Sequence, residues 1–248
     1  MNPYDDNRRD DRGDIGNAPS RATMNPYQSS VEINAPVVSD QTVPYETDLN
    51  PWLSIWTRPR ATIRSIVETN VTDSVLLLSA LYGITRTLSR ASSKSLGDQM
   101  GLTSILLIAL IVGPIGGLIT IYLSALIIGF TARMLGGTAT TEEMRAALAW
   151  GFLPATATLV LWPPAIMILG HEMFTSAMNM NNPLAAVTML GVGLTMIVLA
   201  IWSMFTSCKT IGEVNRFSAW RALGACFLAF FIVLIPILIL VAGVVAIA

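Results

Sequence analysis

The side chains in this chain that could do chemistry are few and scattered. His171 is the single histidine and stands beside Glu172, and the two cysteines are Cys208 and Cys226. An intramembrane enzyme needs a nucleophile with a base, or a metal with several ligands. His171-Glu172 has no second histidine and no cysteine near it in sequence. The cysteines are too few for a disulfide framework, lack metal-ligand company and read as reduced packing residues. Glu142 and Glu143 follow Thr140, and Thr140 with Glu143 three residues on is a capping box that uses both acids near a helix N-terminus. Asp73 reads as another cap. The residue inventory therefore predicts no catalytic residue, no cofactor and no metal.

An ion-coupled transporter would place carboxylates or histidine near the bilayer midplane. The long apolar segments contain no acidic residue; their polar atoms come mostly from Thr120, Tyr122, Ser124, Thr156, Thr158 and Thr195. Such groups hold helices together or line a path, and holding is the commoner use.

The elements that must position these residues are apolar. With 53% hydrophobic residues and 12% charged, against about 25% charged in soluble domains, the chain reads as a polytopic membrane protein. Net charge is -1, so nothing favours nucleic acid. The dominant stretch is Leu102–Leu135. As a helix it is about 50 Å long against a hydrocarbon core of about 30 Å, so it must tilt, kink or protrude. Gly113, Pro114, Gly116 and Gly117 supply the kink, because proline removes a donor and glycine admits a neighbouring backbone. Gly113 and Gly117 also have GxxxG spacing.

Taken in order, residues 1–50 are rich in Asp, Asn, Arg, Ser and Pro and read as a disordered cytoplasmic tail. They hold eleven of the thirty-one charged side chains by residue 40 and repeat Met-Asn-Pro-Tyr at Met1 and Met24. No apolar core of a signal peptide is present in them. Residues 51–70 read as an amphipathic juxtamembrane helix with Trp52, Ile55, Trp56, Ile63, Ile66 and Val67 on one side and Arg58, Arg60 and Arg64 elsewhere. Pro59 starts its main part. Paired tryptophans followed by arginines suit the headgroup layer, and packing on the inner face of a bundle is the other reading.

Five spans follow over 71–248: about 74–90, 102–135, 146–169, 184–206 and 222–246. The first carries Arg86, which must snorkel or point into the bundle. Gly136-Gly137 stops the second. With five spans, Arg58, Arg60, Arg64, Arg133, Arg145, Lys209, Arg216 and Arg221 fall on one side, against Arg90 and Lys94 on the other. The expectation is a cytoplasmic N-terminus and an outside C-terminus in a cytoplasmic membrane.

Several motifs resemble a known family. They are Asn50-Pro51-Trp52-Leu53-Ser54-Ile55-Trp56-Thr57-Arg58-Pro59-Arg60, the Gly113–Gly117 kink, Gly136-Gly137 with Thr140, Ala149-Trp150 through Pro154, and Val214–Leu223. Together, over roughly residues 50–248, they resemble the Yip-domain family of Ypt/Rab-interacting five-span proteins, and its prokaryotic branch most. The resemblance implies five spans and a cytoplasmic N-terminus. In the eukaryotic relatives it implies small-GTPase binding and association with other family members. The relatives' Gly-Tyr-x-x-x-Pro pattern stands here as Ala149-Trp150-Gly151-Phe152-Leu153-Pro154, and their Asp-Leu-Tyr-Gly-Pro motif is missing. Small-GTPase binding is therefore not carried over.

The sequence thus predicts an all-α membrane bundle acting as a non-enzymatic scaffold or interaction protein. Its partners would be the lipid bilayer and other membrane proteins or a second copy. The alternative is a small permease or permease-like subunit with a backbone-lined site at the Pro114 kink.

Overall fold

The computed structural model describes residues 49–72, 74–176 and 182–247. Residues 1–48 of the tail expected over 1–50, its repeated tetrapeptide and the Asp73 cap lie outside the described residues.

All regular structure among the described residues is helical. Helix α1 (Pro51–Ser54) opens the fold and α2 (Pro59–Asn70) comes after a turn. The single amphipathic helix expected over 51–70 is thus two. The Asn50 side chain accepts from the Trp52 N–H at 3.1 Å to start the first, and Pro59, with its preset φ, starts the second.

Helix α3 (Val75–Ser93) and α4 (Leu102–Met134) form an antiparallel pair joined by a 3₁₀ turn at Leu96–Asp98. Helix α4 stays helical through Pro114. It ends where Gly136 takes φ +86°, the left-handed conformation that glycine adopts without a Cβ penalty.

The third predicted span is corrected. Helix α5 (Thr141–Gly151) is a separate element, buried from Met144 to Gly151 except at Arg145. The capping box at its start is complete: Glu143 Oε2 accepts from the Thr140 N–H at 2.6 Å, and the Glu143 N–H donates to Thr140 Oγ1 at 3.2 Å. The chain then breaks into α6 (Leu153–Ala157), a 3₁₀ stretch at Thr158–Leu161 and α7 (Trp162–Leu169). Pro154, Pro163 and Pro164 each lack the N–H that an unbroken helix requires. Helices α8 (Pro183–Val214) and α9 (Ala219–Ile247) complete the bundle, and α8 runs eight residues past the predicted end.

Among the described residues four stretches are long and apolar enough to cross a bilayer: Leu102–Met134, Leu153–Phe174, Pro183–Val214 and Ala219–Val245. Helix α3 is not among them. Its apolar part is short and its C-terminal half carries Arg86 and Arg90.

Two apolar clusters lie along the bundle. One gathers Ile55, Ile63, Ile66, Val75, Leu78, Ile121, Leu148, Trp150 and Ile211. The other gathers Leu88, Ile105, Trp162, Leu169, Phe174 and Ala185. Helix α3 contributes its start to the first cluster and its end to the second.

The tightest contact is between α3 and α4. A Cβ added at Gly83 would stand 1.9 Å from Gly113 O, and one at Gly117 would stand 2.0 Å from Ser79 O. Backbones this close require glycine on both helices. The GxxxG pair is therefore the seat of α3. Gly116 points to open space and takes no part in the contact.

Candidate functional site

The residues singled out at the N-terminal side converge on one polar face of the bundle. Helices α1 and α2 are tied together at Thr62 Oγ1, which lies within hydrogen-bond reach of Ser54 Oγ at 2.8 Å and of Arg58 O at 2.9 Å. Ile55, Ile63 and Ile66 turn inward and are buried. This explains the local fold: a short apolar stripe is covered by α5 and α8, and the arginines remain outside it.

Trp52 packs edge-on against Trp150, with ring centroids 5.2 Å apart and planes at 63°, the arrangement that aromatic quadrupoles favour. Trp56 Nε1 donates to Trp52 O at 3.1 Å. Trp150 is fully buried and Ala149 nearly so. The family-like Ala149-Trp150 pair is thus a packing platform for α1. Pro154, also buried, lies further along in α6 and does not join this face.

Two clefts flank α2. Arg64, Glu68, Glu143, Glu213 and Arg216 line the first, a cavity of about 470 Å³ in which Arg64 and Glu213 form an ion pair. Arg64 is 58% exposed and Glu213 11%, so solvent screens the pair and it contributes at most about 1 kcal/mol. The second cleft, of about 490 Å³, has Arg58, Arg60 and Lys209 among its lining residues and, among the described residues, no acid. The arrangement offers a mixed-charge notch on one side of α2 and a basic one on the other. Such a basic notch attracts phosphate or carboxylate groups.

Sequence reasoning missed the residue that holds this face together. Asn215, 1% exposed, donates through Nδ2 to Ile211 O at 2.9 Å and approaches Met144 Sδ at 3.2 Å. Its Oδ1 accepts from the Ala139 N–H at 3.4 Å. A Cβ at Gly137 would meet that Oδ1 at 2.3 Å. One side chain thereby fixes the end of α8, the start of α5 and the Gly136-Gly137 stop. The only signal in the sequence was an amide in the polar turn before the last apolar run.

The candidates for chemistry lie apart from one another. His171 Nε2 donates to Gly97 O at 2.8 Å, and Asp98 accepts the Ser176 N–H at 3.1 and 3.2 Å. Both tie the 170–176 segment to the α3–α4 connection. The same Ser176 contacts hold the Asp98 carboxyl below its ordinary range. Cys208 and Cys226 are free thiols lining one cavity. Among the described residues no group of three or more His, Cys, Asp or Glu could hold a metal ion.

The hydroxyls are also redistributed. Thr120 and Thr195 sit on exposed faces and bond their own helix at Gly116 O and Gly191 O. The interhelical bonds come from Thr210 to Ala147 O at 2.8 Å, Thr131 to Ala225 O at 2.9 Å and Ser203 to Gly151 O at 3.3 Å. Arg145 lies over the Tyr122 ring at 4.5 Å, a cation–π contact that Tyr122 makes from α4.

A family model described as the Yip1 domain matches residues 53–242. No curated protein and no solved structure matches the chain.

Proposed function

Since the chain belongs to the Yip1-domain family, we infer that it is a non-enzymatic, multi-pass membrane scaffold of the prokaryotic cytoplasmic membrane. The observation that carries this reading is the preformed face built by α1 and α2. Trp52 on Trp150, the buried Ile63 and Ile66, and the Thr62–Ser54 bond fix it to the bundle. It presents Arg58, Arg60 and Lys209 on one flank and Glu68, Glu143 and Arg216 on the other. A rigid, charged face on an apolar bundle suits contacts with anionic headgroups and with charged segments of partner proteins or a second copy.

In this reading α3 is a fifth crossing and α4 bends at Pro114. Two observations support the fifth crossing: α3 reaches from one apolar cluster to the other, and its backbone is seated on α4. Clustering of Arg58, Arg60 and Lys209 around one cleft, with Arg64 and Arg216 in the next, supports a cytoplasmic position for that end and an outside C-terminus.

Site-specific photo-crosslinkers at Arg60 and Glu68, in the full chain in native membranes, test the proposal. Discrete adducts with another membrane protein or a second copy are expected. Labelling of lipid alone from both positions would refute a scaffold role.

A further inference from the structure

Arg86 is a cation carried within α3, at the level where the two apolar clusters meet, and its side chain is exposed on the helix surface. It lines a cavity of about 570 Å³ together with Tyr82, Phe152, Ser203, Ser207 and Phe227. A second cavity of about 280 Å³ shares Tyr82, Arg86, Ala155 and Ala200 with it. Among the described residues neither cavity has an acid in its lining. Among the described residues Arg86 has no ion-pair partner; the acids lie at the helix-end faces, such as Glu213 beside Arg64. Arg86 is exposed at the mouth of these cavities, and where that surface faces lipid a guanidinium requires a compensating anion or water.

A second polar group, in the wall of the same cavity and packed against Gly151, lacks a partner. Ser207 is 6% exposed and its buried Oγ makes no hydrogen bond. The backbone beside it is irregular, because α6, the 3₁₀ stretch at Thr158–Leu161 and α7 replace a continuous helix. Non-helical backbone at membrane depth is tolerated where it lines a cavity. The remaining walls are aliphatic and aromatic, and the volume falls in the about 300–1,000 Å³ range of small-molecule sites.

A ligand that fits must be anionic at one end and long and apolar at the other, and must reach the site from within the bilayer. We propose that this cavity binds one anionic phospholipid, its phosphate held by Arg86 and one acyl chain along the wall formed by α8 and α9. Arginine pairs phosphate bidentately. The shortage of carboxylates leaves that charge to the lipid. The chain replaces solvent that the apolar lining does not favour.

Native mass spectrometry of the full-length protein in mild detergent tests this, with phosphatidylglycerol and phosphatidylcholine titrated separately and inorganic phosphate as a competitor. The wild type is expected to keep one phosphatidylglycerol per chain under conditions that strip phosphatidylcholine. Arg86→Gln should weaken retention by about tenfold, the loss expected for a charge-assisted contact. Arg86→Lys should keep most of it. Ala200→Phe, which fills the cavity from a helix position on its wall, should lose it with Arg86 intact. Equal retention of the two lipids by the wild type would overturn the proposal without recourse to any variant. So would undiminished retention by Arg86→Gln, or displacement of the lipid by millimolar phosphate alone.

Discussion

Placing a methyl group at Gly83 separates the two helices that define the bundle. The new Cβ would stand 1.9 Å from Gly113 O, 2.6 Å from Gly117 N and 2.7 Å from Gly117 Cα. All three are backbone atoms, so no rotamer change relieves them. Ordinary contact lies near about 3.5 Å, so α3 and α4 must part by roughly 1.5 Å at this point. A gap of even about 0.5–1 Å forfeits a quarter to a half of each dispersion well along the seam. Overpacking of a fitted core costs about 1–3 kcal/mol, and a backbone-on-backbone clash belongs at or above the top of that range. With about 2–4 °C of melting temperature per kcal/mol for a chain of this size, Gly83→Ala should lower Tm by about 6–12 °C. The assay is thermal unfolding of purified protein in one fixed detergent. Gly116→Ala and Gly191→Ala are the controls, since a Cβ there meets nothing within 4 Å. These two should melt at or slightly above the wild type, because alanine favours helix over glycine. Wild-type melting of Gly83→Ala, or an equal drop in Gly116→Ala, would refute the seam.

Other outcomes rest on the same structure. Asn215→Leu removes the side chain that serves Ile211 O and the Ala139 N–H; leaving a buried group unpaired should cost about 1–3 kcal/mol, read as a lower denaturation midpoint. Trp52→Ala should cost about 0.5–1.5 kcal/mol beyond its buried area through loss of the edge-on contact with Trp150, and Trp52→Phe should restore part of it. Reversing Arg64 to Glu places like charges beside Glu213 in the first cleft. The double change R64E/E213R should recover the loss, and failure of that rescue in a double-mutant cycle would show the pair to be uncoupled. Asp98 has a folded pKa held below the ordinary 3.8, first by its hydrogen bonds with Ser176. Its tie to the 170–176 segment should therefore be fully present above pH 3.8 and be lost as pH falls through the lower folded value. The Tm difference between wild type and Asp98→Asn should be constant near neutrality and vanish in stronger acid; a difference that persists there would contradict the assignment.

How much of this was legible beforehand depends on the range of the interaction. Local rules sufficed for the capping box at Thr140 and Glu143, the helix start at Pro59 and the stop at Gly136, because each is decided within about four residues. Composition sufficed for a helical membrane bundle, and the matched Yip1 domain agrees with the resemblance carried by the residue motifs. The third span was misjudged. Hydropathy alone does not reveal that α5 is a buried element of its own, although Pro154, Pro163 and Pro164 mark in the sequence where the stretch from Leu153 to Leu169 is interrupted.

By itself, then, the sequence determined what is decided locally: where helices cap and stop, which runs are apolar enough for lipid, and how little ionisable chemistry there is. Tertiary structure decided which of those features meet. Gly113 and Gly117 were a weak pair until Gly83 was found against them. Trp150 stood out only as part of a family-like motif and is a buried platform for Trp52. Asn215 and Arg86 gained their roles only from distant neighbours, one among polar groups that complete its bonds and one at a cavity whose lining, among the described residues, has no acid. The reason is physical. A polar or glycine residue has no fixed meaning along a chain, since its energy depends on whether another segment supplies a partner, a backbone or nothing.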